Sequence, residues 1–138
     1  MVRLRRALPY GAGIWVCLVV VSLVLLPLED ASEAVHESLK SCALVAIVLA
    51  FTVRRLSRPD PADRPVPADR PPGMVDGLVT GLVWAAVAVL LDLGLFLLGA
   101  FNIGLGAYFA DVASSYLVIP VTTAIVAGYL TPRVPSRA

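Results

Sequence analysis

A single carboxylate, Asp92, interrupts the apolar stretch from Gly77 to Gly99. An ionised side chain at the centre of a bilayer costs about 2.5–3.5 kcal/mol on insertion scales, so such a residue must be protonated, paired or hydrated. It is also where an ion or proton would be taken up. Counted at the helical rise from the arginine-bearing end of its segment, Asp92 lies about 24 Å in, Lys40 about 20 Å, Ser115 about 22 Å and Ser22 about 18 Å. These four residues form a candidate intramembrane polar layer, with Lys40 as the charge partner of Asp92 and the two serines as hydroxyl donors. Lys40 is the only lysine, and it lies inside the second apolar segment.

Other polar residues offer less. Asp111 shares a helical face with Tyr108, Ser115 and Thr122, but its place at the start of a segment suits a helix-N-terminal carboxylate that complements the dipole. His36 precedes Lys40 by one helical turn and reads as an interfacial residue. Cys17 and Cys42 stand apart, with no CxxC pair and no Cys/His cluster, so neither a metal centre nor a disulfide framework is expected. No nucleophile elbow, HExxH, phosphate loop or dinucleotide fingerprint occurs. The expectation is a protein without catalytic residues or cofactor, hence not an enzyme.

Four apolar segments must position these residues, at about 10–28, 35–54, 74–99 and 108–130. Each is about 20 residues or more, enough to cross a hydrocarbon core of about 30 Å. The fold class expected is all-α: a polytopic membrane protein, a single antiparallel bundle of four transmembrane helices. Pro9 should precede the first helix and Pro27 help end it. The first segment is long for a secretory h-region, and Glu29-Asp30-Ala31-Ser32 offers no small-x-small cleavage site. Asn102, Gly104 and Gly106 mark a turn between the third and fourth segments. Pro120 should kink the fourth by leaving the Tyr116 carbonyl without its donor.

The third segment has two faces. Within about 60° of Asp92 on a helical projection lie Gly77, Gly81, Ala85, Ala88 and Gly99, small residues that let another helix approach closely. The opposite face, Leu82, Val83, Val87, Leu90, Leu91 and Leu98, suits lipid.

The 138 residues are 59% hydrophobic, with a mean hydropathy of +0.87, too apolar for a soluble core of this size. The arginines fall in three places: Arg3 to Arg6, Arg54 to Arg70, and Arg133 to Arg137. Basic residues mark cytoplasmic loops, so both termini and the central loop should face the cytoplasm, with the acidic connection from Glu29 to Glu37 outside. Trp15 and Trp84 fit aromatic anchors near the inner interface. Residues 56–73 form a Pro-, Arg- and Asp-rich linker in which Pro61-Ala62-Asp63-Arg64-Pro65 recurs as Pro67-Ala68-Asp69-Arg70-Pro71, a solvated spacer. Arginine in place of lysine is the bias of GC-rich bacterial coding.

The lipid bilayer is the expected partner, with a homo-oligomer or another membrane protein beside it and no nucleic acid. In size and segment count the chain resembles the small four-span proteins of bacterial plasma membranes. A non-enzymatic accessory or scaffold role is expected. The alternative is a small ion or solute transporter working through Asp92 and Lys40.

Overall fold

The computed structural model describes residues 4–29, 32–57, 73–99 and 104–130, all of them in helices or at their ends. Arg3, Arg133, Arg137, the turn at Asn102 and all but the ends of the 56–73 linker lie outside these residues. Four helices account for the described chain: α1 (Leu4–Glu29), α2 (Glu33–Ser57), α3 (Met74–Leu97) and α4 (Leu105–Leu130). Each contains a stretch long and apolar enough to cross a membrane: Ala7–Leu28, Glu33–Leu56, Met74–Leu97 and Leu105–Leu130.

The boundaries follow local chemistry. Helix α1 begins earlier than the apolar run, at Leu4, so Pro9 sits inside it instead of before it, as does Pro27 near its end. A proline within the first turns removes only one internal bond, which the longer helix tolerates. Helix α2 carries Glu33 in its first turn and Arg54 and Arg55 in its last, both favourable to the dipole. Helix α3 stops at Leu97, where Gly99 adopts φ +74° and its N–H reaches the Phe96 carbonyl at 3.0 Å, a left-handed ending that glycine allows.

Helix α4 is not uniform. A short α turn (Leu105–Ala107) leads into a π-helical turn (Tyr108–Val112), then a 3-10 turn (Ala113–Leu117), and only from Val118 to Leu130 is it regular. The expected orphan carbonyl at Tyr116 is absent: at the end of the 3-10 turn, backbone N–H groups reach the carbonyls of both Ser115 and Tyr116. The tighter turn thus re-satisfies the group that Pro120 cannot serve. Pro120 itself is buried within the regular part.

Packing links α1 to α2 and α3, and the regular half of α4 to α2 and α3. Each helix contributes buried apolar residues: Ala7 and Ile14, two turns apart, from α1, Leu44 and Val48 from α2, Trp84 and Ala88 from α3, Ile119 and Ala124 from α4. Tyr10, near the start of α1, stacks on Trp84 at 5.9 Å and meets Phe51, near the end of α2, edge-on at 6.2 Å. The Arg55 guanidinium lies 5.6 Å from the Tyr10 ring centre, a cation–π contact. The closest helix approach is between α3 and α4. A Cβ on Gly77 would stand 2.6 Å from both Ala127 Cβ and the Thr123 carbonyl oxygen, and one on Gly81 would strike the Pro120 backbone. Ala88 is fully buried and Ala85 partly so. On the other side, Leu82, Leu90 and Leu98 are exposed, while Val83, Val87 and Leu91 are partly covered, Val87 by Gly11 of α1.

Candidate functional site

Asp92 lies two helical turns past Trp84 on the buried face of α3, and its position explains its burial: only 4% of its surface is exposed. Three neutral donors converge on the carboxylate. The Trp15 indole N–H donates to Oδ1 at 2.6 Å. The Tyr116 hydroxyl donates to Oδ2 at 2.6 Å, and the Tyr108 hydroxyl to the same oxygen at 3.2 Å. A carboxylate offers about four acceptor sites, so three donors nearly saturate it. Short bonds to a carboxylate are the stronger, charge-assisted kind.

The donors come from both neighbours of α3. Trp15 belongs to α1, and the two tyrosines belong to the irregular half of α4, where they are separated by roughly 12 Å of helix. Their phenol rings reach toward a common oxygen. Tyr108 is fully buried and packs against Phe96 at 6.4 Å and Phe109 at 5.3 Å. Asp92 therefore ties α1, α3 and α4 at one point, enclosed by aromatic rings.

The polar layer expected from depth does not assemble around Asp92. Lys40 donates instead to Glu37 at 3.2 Å on its own helix, and both side chains reach solvent-accessible surface. An i,i+3 partner is always within reach, whereas a bond to Asp92 would carry the ammonium into the bundle. Ser115 is exposed and turns back to the Val112 carbonyl at 2.6 Å, the local bond that short hydroxyl side chains favour. Ser22 is partly buried, two turns beyond Trp15 and roughly 10 Å further along α1. It is not among the partners of the carboxylate. Only Asp92 of the four belongs to the site.

Sequence reasoning missed Trp15, Tyr108 and Tyr116. The signal was present: a buried indole N–H or phenol needs a partner, and a long aromatic side chain bridges several ångströms of depth that a serine cannot. Beginning α1 at Leu4 rather than Tyr10 also sets Trp15 roughly 9 Å deeper along the helix. Trp15 is partly buried and its indole N–H is a hydrogen-bond donor to Asp92.

Other chemistry-bearing groups lie apart from this cluster. His36 is buried, its Nε2 has no hydrogen-bond partner, and its Nδ1 is 3.9 Å from Glu37. Trp84 is fully buried and its indole nitrogen likewise has no partner. Cys17 is partly buried and Cys42 exposed on α2, both as free thiols. Asp111 lies in the π turn, and its side chain is outside the described residues.

This geometry makes a direct prediction. In a double-mutant cycle of Asp92→Asn with Lys40→Met, the losses in thermal stability should add, because the two residues have no common partner. Lys40→Met alone should cost less than about 0.5 kcal/mol, the worth of an exposed helical pair. A coupling energy above about 1 kcal/mol would mean the charges do meet.

Comparison with known protein families, curated proteins and solved structures gives no match.

Proposed function

We propose that the chain is a multi-pass integral membrane protein of the cell membrane, built as an antiparallel four-helix bundle and acting as a non-enzymatic accessory or scaffold subunit. The observation that carries this reading is the state of Asp92. Its acceptors are occupied by three neutral donors from the flanking helices, and it is 4% exposed. A carrier needs its intramembrane carboxylate open to water at some stage, whereas a structural tie is satisfied and enclosed, as here.

Membrane insertion is supported by the surface, where Leu23, Val24, Leu90, Leu97 and Leu98 are well exposed on helices long enough to span. Alternation of direction is supported by end-to-end contacts: the start of α1 meets the end of α2 through Tyr10 and Phe51, and the start of α3 meets the end of α4 through Gly77 and Ala127. The orientation rests on the arginines, which would put both termini and the Arg54 to Arg70 loop in the cytoplasm. The bacterial source rests on composition alone.

Two measurements test this. A cysteine placed at Ala68, in a background lacking Cys17 and Cys42, should react with an impermeant maleimide only after the membrane is opened; labelling of intact cells would invert the topology. In mild detergent the purified chain should run as a defined assembly, either with copies of itself or with another membrane protein. A monomer that carries a pH-dependent ion flux in proteoliposomes, lost in Asp92→Asn, would overturn the scaffold reading in favour of transport.

A further inference from the structure

We propose that the arginine-bearing end of the α1–α2 pair binds the phosphate headgroup of an anionic phospholipid, held between the start of α1 and the end of α2. The inference rests on the reading of the chain as an integral membrane protein with this end at the inner surface, and it supplies a partner which that reading does not name. Three observations meet there.

The first is where the arginines stand. A Cβ on Gly13 would lie 2.9 Å from the Phe51 ring. Tyr10, one turn earlier on α1, lies 6.2 Å from that ring and 5.6 Å from the Arg55 guanidinium. The start of α1 therefore lies beside the end of α2. One further turn along, Arg6 occupies the same face of α1 as Tyr10 and Gly13, and Arg55 follows Phe51 by one turn on the facing side of α2. Two arginine positions thus oppose each other across the helix pair, with Arg54 next to them.

The second is charge without a counter-charge. Arg55 is partly buried and Arg54 exposed, and among the described residues neither forms an ion pair. Asp76, in the first turn of α3 at the same end, is exposed and pairs with neither. Orientation in a membrane requires arginines on one side of it, but not two of them on facing helical positions, where like charges repel. Arg5 and Arg6 also fall in the first turn of α1, where positive charge opposes the helix dipole. A bound phosphate offsets both costs, and guanidinium groups are suited to hold it through paired hydrogen bonds.

The third is the surface beside the charges. Toward the bundle centre from Arg54 and Arg55, α2 exposes Val53 and Leu49. An acyl chain attached to the phosphate can lie along these side chains, which a free anion cannot use. Basic sites next to an apolar span at the inner leaflet are the setting in which anionic headgroups are recognised.

The test uses the full chain. Membranes carrying it are first washed with alkaline carbonate, and a chain released by the wash would fail as an integral membrane protein and take this proposal with it. The retained protein, purified in mild detergent, is then titrated with phosphatidylglycerol or with phosphatidylcholine of the same acyl chains, and bound lipid is measured by native mass spectrometry. Phosphatidylglycerol should bind at least about tenfold tighter, and Arg6→Gln and Arg55→Gln should each weaken it about fivefold. Arg70→Gln removes the same charge from the linker and should change binding less than about twofold. Arg6→Gln leaves the contact of Arg55 with Tyr10 in place, so it decides the matter even where Arg55→Gln does not fold. Equal binding of the two lipids by a chain that withstands the wash, undiminished binding by Arg6→Gln, or an equal loss in Arg70→Gln would overturn the proposal. Release of the lipid by millimolar inorganic phosphate would overturn it too, because the ligand would then be a soluble anion.

Discussion

Asp92→Leu should lower the stability of the detergent-solubilised protein by about 3 kcal/mol or more, the largest loss for any single polar residue in the spans. The substitution leaves the Trp15 indole and the Tyr108 and Tyr116 hydroxyls buried without their acceptor, and each such group costs about 1–3 kcal/mol. Leucine branches as aspartate does, but its methyl groups are bulkier than the carboxylate oxygens and would crowd donors that now stand 2.6 Å away, so overpacking adds to the loss. Tyr116→Phe deletes one donor and leaves two engaged, and it should cost only about 1 kcal/mol, near the upper range of interhelical bonds in membranes. Thermal unfolding followed by circular dichroism separates the three proteins, and Trp15 supplies a local probe, because its emission should shift when the indole N–H loses the carboxylate. An Asp92→Leu protein that melts with the wild type would show that the carboxylate does not hold the helices together.

The expected ordering, Asp92→Leu far worse than Tyr116→Phe and Lys40→Met nearly silent, also marks what a sequence can and cannot reveal. Four apolar segments were legible because hydropathy and length are summed over twenty residues, and four helices long enough to span are what the structure has. The importance of Asp92 was legible for the same reason: a charge within such a segment must be compensated. Its partners were not. Depth along four idealised helices placed Lys40 and Ser115 near Asp92, but depth has one coordinate, and hydrogen bonding requires three. Lys40 is drawn to Glu37 one turn away, and Ser115 bonds its own backbone.

The irregular half of α4 was harder still to foresee. Pro120 announced a disturbance, and the sequence argument placed it at the proline as a kink. The structure shows the adjustment upstream, in the 3-10 turn that ends at Leu117 and in the π turn before it. The physical reason is that a proline frees the carbonyl four residues earlier, so the backbone must be rearranged on its N-terminal side. That region is where Tyr108 and Tyr116 converge on Asp92. The proline accounts for the 3-10 turn that carries Tyr116; the π turn that carries Tyr108 lies beyond its reach.

The second large effect belongs to the glycines of α3, which differ in their surroundings although they look alike in the sequence. At Gly81 an added Cβ would collide with the Pro120 backbone, and at Gly77 it would come within 2.6 Å of Ala127 Cβ and 2.9 Å of Ala124 Cα. Backbone cannot swing aside as a flexible side chain can, so Gly81→Ala should cost about 1–3 kcal/mol, typical of overpacking. Gly81→Leu must separate α3 from α4 and should prevent the folded bundle from accumulating. Gly94 sits on the same helix with nothing within 4 Å of its would-be Cβ. There, alanine should stabilise the protein by about 0.5–1 kcal/mol, by restricting the unfolded chain and favouring helix. Melting midpoints of Gly81→Ala and Gly94→Ala should therefore move in opposite directions. If both move the same way, the close approach of α3 to α4 at Pro120 is not what sets the stability of the bundle.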